Sequence, residues 1–268
     1  MKSSLTKLTY FIIAFLTISS CSLFDKDEET TEDGPEVGFF PETISYFKPN
    51  ETTVNYSFDF IYDDANKLQA IIQSDATGFK ADNIFFTYNN SGQIIKTVQN
   101  RFGDSDGLND RITNFTYQNN QLVSYEHILS NSSPRNYSVD FNESTGIMNV
   151  TNVENPEIQF TIKFDKDLDL IDNGDFNEIK YSGGKGAFNY VNSKLNFHLL
   201  PNILNYYLFA SKQITQIKNS WQGIEFIRNS VNKIDSNGMV TEIEFRSATT
   251  NESYGKYTVK YQQRVLNP

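Results

Sequence analysis

Residues 83–98 read Asn-Ile-Phe-Phe-Thr-Tyr-Asn-Asn-Ser-Gly-Gln-Ile-Ile-Lys-Thr-Val, and this pattern constrains the fold more than any other. Ile84, Phe86 and Tyr88 share one face of a strand, a polar run with Gly92 reverses the chain, and Ile94 opens a return strand. The stretch predicts a β-hairpin, and related units recur. Tyr56–Tyr62 turns through Asp63–Lys67 into Leu68, and Phe115–Tyr117 turns through Gln118–Gln121 into Leu122. Tyr137–Phe141 turns through Asn142–Gly146 into Ile147, and Ile158–Phe164 alternates ahead of a less clear turn at Asp165–Asp169. The strand-end aromatics at 62, 88, 117, 141 and 164 stand 23 to 29 residues apart, enough for two strands, a tight turn and a looser one.

A lone hairpin is marginal in water, and each unit leaves Phe, Tyr and Ile on one face, so neighbouring units must pair into a continuous antiparallel sheet. Such a sheet twists and curls until its apolar face needs cover. The expected fold is therefore all-β, a long hairpin meander forming a curled sheet or open half-barrel. Leu200, Ile203, Leu204, Tyr207 and Leu208 have helical spacing and predict one short covering helix, with an aromatic strand over 206–209 as the alternative. Ile224–Phe226, the Asp235–Gly238 turn, Ile243–Phe245 and Tyr257–Tyr261 resume the β pattern. No linker divides residues 39–268, which are read as a single domain.

The N-terminus gives an address. Lys2 and Lys7 precede an apolar run from Leu8 to Ile18 that is too short to span a bilayer and fits the core of a secretory signal over residues 1–20. Ile18-Ser19-Ser20-Cys21 resembles the lipobox of bacterial lipoproteins, which implies that Cys21 is lipidated and becomes the first mature residue. It is the only cysteine, so no intramolecular disulfide can form. Residues 21–38 are expected to be a lipidated tether: Asp25–Glu36 carries seven acids and one lysine and cannot bury an apolar face. An acidic cluster just behind the cysteine also resembles the surface-export signal of Bacteroidetes lipoproteins. It implies an outer-membrane protein anchored by lipid at the cell surface, with the periplasmic face as the alternative.

The formal charge is −10, and no cluster of basic residues with interleaved aromatics offsets it, which excludes nucleic acid as a partner. The recurring order of aromatic, polar turn, Gly or Asn, then Leu or Ile looks like the YD-type repeats of Bacteroidetes lipoproteins of unknown function. Phe197–Pro201, Tyr206–Phe209, Ser236–Gly238 and Thr241–Ile243 are similar to the C-terminal half of those proteins. The strict Tyr-Asp pair occurs only at Tyr62-Asp63, and the resemblance brings no catalytic residues with it.

No catalytic motif is found. His127 and His198 have no His, Cys or carboxylate at metal-ligand spacing, and both are read as structural. Ser182–Gly186 lacks the spacing of a phosphate-binding loop. Asp104, Asp106 and Asp110 flank Gly107 in a pattern that resembles part of the calcium repeats of thrombospondin type 3 and dockerin modules, and a plain hairpin loop accounts for them as well. The Asp165–Asp175 stretch is acidic too. Trp221, Tyr206 and Tyr207 are candidates for stacking on a sugar, with core or rim packing as the plainer reading. No cofactor other than calcium is implied. The expected function is a non-enzymatic binding or scaffold module for a glycan, protein or lipid. The alternatives are a carbohydrate-active hydrolase or accessory, and a carrier holding an acyl chain inside the curved sheet.

Overall fold

The computed structural model describes residues 35–101, 110–130, 132–174, 178–191, 194–200, 206–221 and 224–266, with backbone alone at 81, 101, 194, 195, 197, 206, 207 and 221. The compact body starts at Val37. Its first eight strands are β1 (Val37–Phe47), β2 (Tyr56–Tyr62), β3 (Leu68–Asp75), β4 (Lys80–Tyr88), β5 (Ile94–Arg101), β6 (Arg111–Gln118), β7 (Gln121–Leu129) and β8 (Arg135–Asn142). The remainder are β9 (Ile147–Asn152), β10 (Gln159–Phe164), β11 (Leu170–Asp172), β12 (Glu178–Lys185), β13 (Lys212–Trp221), β14 (Ile224–Ile234), β15 (Val240–Ser247) and β16 (Ser253–Val265). All 16 form one antiparallel meander in which β1 pairs with β16, so that its free edges are β11 and β12, neighbours in the chain.

One local device recurs in these hairpins. In the turns at Asp63, Asn89, Asp165 and Asp235 the first residue's side-chain oxygen accepts from the amide four residues on. The fourth residue has positive φ: Asn66, Gly92, Leu168 and Gly238. Such an Asx turn needs a left-handed residue, which Gly adopts freely and Asn tolerates. Leu168 at φ 60° does so against its Cβ, which is why this turn is the unclear one in the sequence. Register slips by one residue immediately before Tyr62, Tyr88, Phe164 and Ile234, placing a bulge beside each of these turns.

The strand-end tyrosines tie one hairpin to the next. Tyr88 donates its hydroxyl hydrogen to Leu68 O at 2.7 Å, Tyr117 to Ile94 O at 3.0 Å and Tyr261 to Val240 O at 2.7 Å. Each acceptor is the first residue of the preceding return strand. Tyr181 on β12 makes the same bond, 2.5 Å, to Leu170 O on β11. The two sheet edges are thus clasped as though β12 opened one more hairpin unit, and the sheet curls past the expected half-barrel into a nearly closed barrel. Asp169, 1% exposed, reinforces the seam by accepting from Ser211 N and Ser211 Oγ, both at 2.7 Å, and from Lys212 N at 3.2 Å.

The inner face is apolar where these turns lie. Phe60, Leu68, Ile84, Phe86, Ile94, Leu122, Met148, Ile162 and Val240 are all buried there. The segment between β12 and β13 fills the space they surround. Phe188 packs on Phe60 at 5.2 Å, Tyr190 on Phe40, His198 on Phe164 at 5.2 Å, and Asn196 Nδ2 donates to Tyr117 Oη. These partners belong to β1, β2, β6 and β10, which are spread around the sheet, so the segment is an internal plug. Its described ends are 3-10 turns, Lys194–Leu199 and Tyr206–Phe209, where one short helix over 200–208 is expected; Pro201 to Asn205 lie outside the described residues. Leu199, Leu200, Leu208 and Phe209 are buried in the core, so the covering role holds.

The outer face is mostly polar. Lys233, Glu242, Thr258, Ser45, Ser57 and Ser74 follow one another in register across β14, β15, β16, β1, β2 and β3, and Lys96, Asn114, Glu126 and Asn136 do so across β5 to β8. An apolar row, Ile61, Ala70, Phe85, Val98, Ile112 and Ile128, crosses β2 to β7 between polar rows, and exposed Ile227 and Val231 on β14 stand opposite Lys218 and Glu244. A membrane-spanning barrel carries an outward apolar band about 25 Å tall. A row one residue high, flanked by Lys96 and Glu126, is not such a band.

Candidate binding walls at the loop end of the barrel

Most sequence candidates fall outside what the structure describes. Cys21, Asp104 and Asp106 lie outside the described residues, and only the backbones of Tyr206, Tyr207 and Trp221 lie within them. Asp110 is exposed at the entrance to β6, where its carbonyl accepts from Ser130 N and Ser130 Oγ. The acidic stretch after Phe164 is already engaged: Lys212 Nζ lies 2.5 Å from both Asp165 Oδ2 and Asp167 Oδ2. Among the described residues no group of three His, Cys, Asp or Glu side chains converges as a metal site.

The barrel's two ends differ in what they place inside. At the end opposite the Asp63, Asn89, Asp165 and Asp235 turns, where the looser connections lie and the turn from Asp75 to Phe79 between β3 and β4 repeats the Asx device, the inner face carries tyrosine and arginine. On one wall Tyr257, Tyr46 and Tyr56 follow in register across β16, β1 and β2. Tyr46 stacks on Tyr56 at 4.8 Å and tilts against Tyr257 at 5.0 Å. The Tyr56 and Tyr257 hydroxyls lie 3.2 Å apart, and Tyr46 Oη donates to Tyr254 O. Gly255, at φ 107°, makes this possible, because a Cβ there would lie 2.6 Å from Phe47 O and from Tyr46 Oη. The resulting bulge turns exposed Tyr254 toward Arg228, whose guanidinium carbon lies 4.8 Å from the ring centroid.

Arg228 is opposite Ile217, and Phe226 is opposite Asn219, so Arg228 and Asn219 are diagonal neighbours on the inner face. Ile217 is 1% exposed, which fixes that face as internal. Arg228 Nε and Asn219 Oδ1 are both buried without a hydrogen-bond partner. An orphaned buried donor beside an orphaned buried acceptor is costly, at about 1–3 kcal/mol for each neutral group and more for a charged one.

The second wall is formed by β6, β7 and β8. Thr113, His127 and Arg135 follow in register, and Arg111 lies one inward position away. Tyr125 stacks on Tyr137 at 4.7 Å, and the His127 ring meets both edge-on. Its Nδ1 is 2.9 Å from Thr113 Oγ1. Burial, and after it the positive charges of Arg111 and Arg135, lower the His127 pKa to about 4, so the ring is neutral at physiological pH. A neutral histidine against a threonine hydroxyl, with arginines as its charged neighbours, is a packing and hydrogen-bonding group. Arg135 also borders a cavity of about 460 Å³ shared with Ser132, Pro134, Asn152, Glu154 and Ile158.

Single-residue pattern reading passes over these walls because the arginines are distant in sequence. The signal that could have exposed them is parity. Arg111 shares its face with Phe115 and Tyr117, and Arg228 shares its face with Phe226. The acidic chain has six arginines, and Arg111, Arg135 and Arg228 occupy inward positions at this one end.

The sequence matches no family model, and a search of curated proteins finds no match. Among solved structures it is similar to a porin-like protein from Bacteroides uniformis, with 13% identity over 83% of this chain and 98% of that one, TM-score 0.38. A porin-like protein from Bacteroides vulgatus gives 11% identity over 84% and 99%, TM-score 0.42. The Photorhabdus luminescens Tc holotoxin pore gives 15% identity over 76% of this chain and 10% of that one, TM-score 0.20. At these scores none of the likenesses carries a function across.

Proposed function

We propose that this chain is a non-enzymatic binding module held at the outer membrane by a lipid on Cys21, with its body at the cell surface. The observation that carries the reading is the contrast along the barrel: one end is filled by the chain's own plug, and the other lines its inner face with tyrosine, arginine and a neutral histidine. Aromatic faces with a few convergent polar groups suit ligand capture. Among the described residues neither wall brings together the two carboxylates a glycosidase uses, and Phe188, Leu199, Leu208 and Phe209 occupy the apolar interior an acyl chain would need. The lipobox-like Ile18–Cys21 and the acidic tether support the address.

Thermal-shift screening of the mature protein against glycans, fatty acids and calcium tests the binding reading. A ligand selective for the native state raises the melting temperature. Stabilisation by glycans and not by fatty acids is expected, and the reverse would favour the carrier. Protease treatment of intact cells tests the address: surface placement predicts digestion of the body without lysis, and protection would put it on the periplasmic side.

A further inference from the structure

We propose that the wall running from β13 through β14, β15 and β16 to β1 binds saccharides that carry a carboxylate, with Arg228 and Asn219 receiving the acidic sugar; the proposal rests on the binding-module reading. The two orphaned atoms define the complement. Arg228 Nε is a buried donor with positive charge behind it, and Asn219 Oδ1 is a buried acceptor. Diagonal neighbours on a sheet are about 7–8 Å apart, a gap that one ligand group can bridge only if it offers an acceptor to one side and a donor to the other. A uronic acid does so, because its carboxylate accepts from a guanidinium and its ring hydroxyls donate to an amide oxygen.

The surroundings favour a sugar ring over a simple anion. Tyr254 is 43% exposed and stacks on the guanidinium, which orients the fork. Half-buried Phe226 is on the adjacent inward position, and half-buried Tyr46 and Tyr56 continue the aromatic wall across β1 and β2. Aromatic faces accept the C–H face of a pyranose and give nothing to a bare phosphate or sulfate.

The test is titration calorimetry of the full mature protein with oligogalacturonate, the matching neutral oligogalactose, and an acidic peptide. The proposal expects oligogalacturonate to bind, at least tenfold tighter than the neutral oligosaccharide. Arg228→Gln should weaken it tenfold or more, and Arg228→Lys should also weaken it, because lysine keeps the charge but lacks Nε and the planar fork. Lys163→Gln, on the outer face of β10 and away from both walls, should leave it unchanged, and melting temperatures show whether each variant folds. Three results overturn the proposal and leave the binding module standing: equal affinity for acidic and neutral sugars, binding indifferent to both Arg228 variants, or preference for the peptide. Absence of binding across all three probes overturns it as well. The binding reading then falls separately, and only if the wider thermal-shift panel also finds nothing.

Discussion

The turn end and the loop end of this barrel are made from the same strands and differ in what satisfies their polar groups. At the turn end, most hydroxyls and carboxylates that point inward find partners within the chain, with the Tyr62 hydroxyl as an exception. Tyr88, Tyr117, Tyr181 and Tyr261 each reach a neighbouring carbonyl, and Asp169 takes three donors from Ser211 and Lys212. At the loop end Arg228 Nε and Asn219 Oδ1 do not find partners. The first pattern is that of a fold holding itself shut, and the second that of a surface with bonding capacity left over. Cost and function therefore separate along the barrel axis.

The largest effect that could break this comparison is at the seam. Asp169→Ala leaves three buried donors without an acceptor and should cost about 3 kcal/mol or more in urea unfolding. A loss well under 1 kcal/mol would mean that the edges are not clasped there. The loop end offers a pH test of similar size. Because the folded His127 has its pKa lowered to about 4 from an ordinary 6.5, the unfolded chain binds the proton more readily. Stability from this group is present above about pH 6.5 and is lost as pH falls toward about 4, on the order of 3 kcal/mol in all. In His127→Gln the acid-side slope of stability against pH should flatten over that window.

Smaller effects sharpen the account of the tyrosine clasps. Tyr88→Phe and Tyr261→Phe should each cost roughly 1–2 kcal/mol by stranding the carbonyls of Leu68 and Val240. Tyr62 is the informative control. It holds the same strand-end position, yet its buried hydroxyl has no hydrogen-bond partner, because β1 brings in no preceding hairpin whose return strand could accept. Tyr62→Phe should be neutral or slightly stabilising in the same unfolding measurement. The smallest effect is at the one poorly suited turn: Leu168→Gly relieves a left-handed leucine and should add about 0.5–1 kcal/mol, read as a raised urea midpoint.

What was legible from sequence follows the same division. The turn end is written locally, as an aromatic, an Asx, a glycine or asparagine and an aliphatic within about ten residues, so Tyr62, Tyr88, Gly92 and Gly238 announce themselves. The Asp165 turn hides because Leu168 occupies the glycine position, and the long-range contact of Lys212 with Asp165 is not visible in the sequence. The plug's helical spacing misleads in another way. Its described parts on either side of 201–205 are 3-10 turns, and Phe188 and His198 of the same segment meet different strands. The degree of closure is also non-local, because it depends on Tyr181 meeting Leu170 and on Ser211 meeting Asp169. The loop-end walls are the least legible, since each gathers residues from strands far apart in the chain, and no short motif encodes that meeting.

A polar outside around an apolar, self-plugged inside is the property on which the rest depends, and a bilayer tests it most directly. The mature chain with Cys21→Ser should stay monomeric in detergent-free buffer and add no conductance to a planar lipid membrane. Stepwise conductance, or a requirement for detergent to remain in solution, would contradict the account.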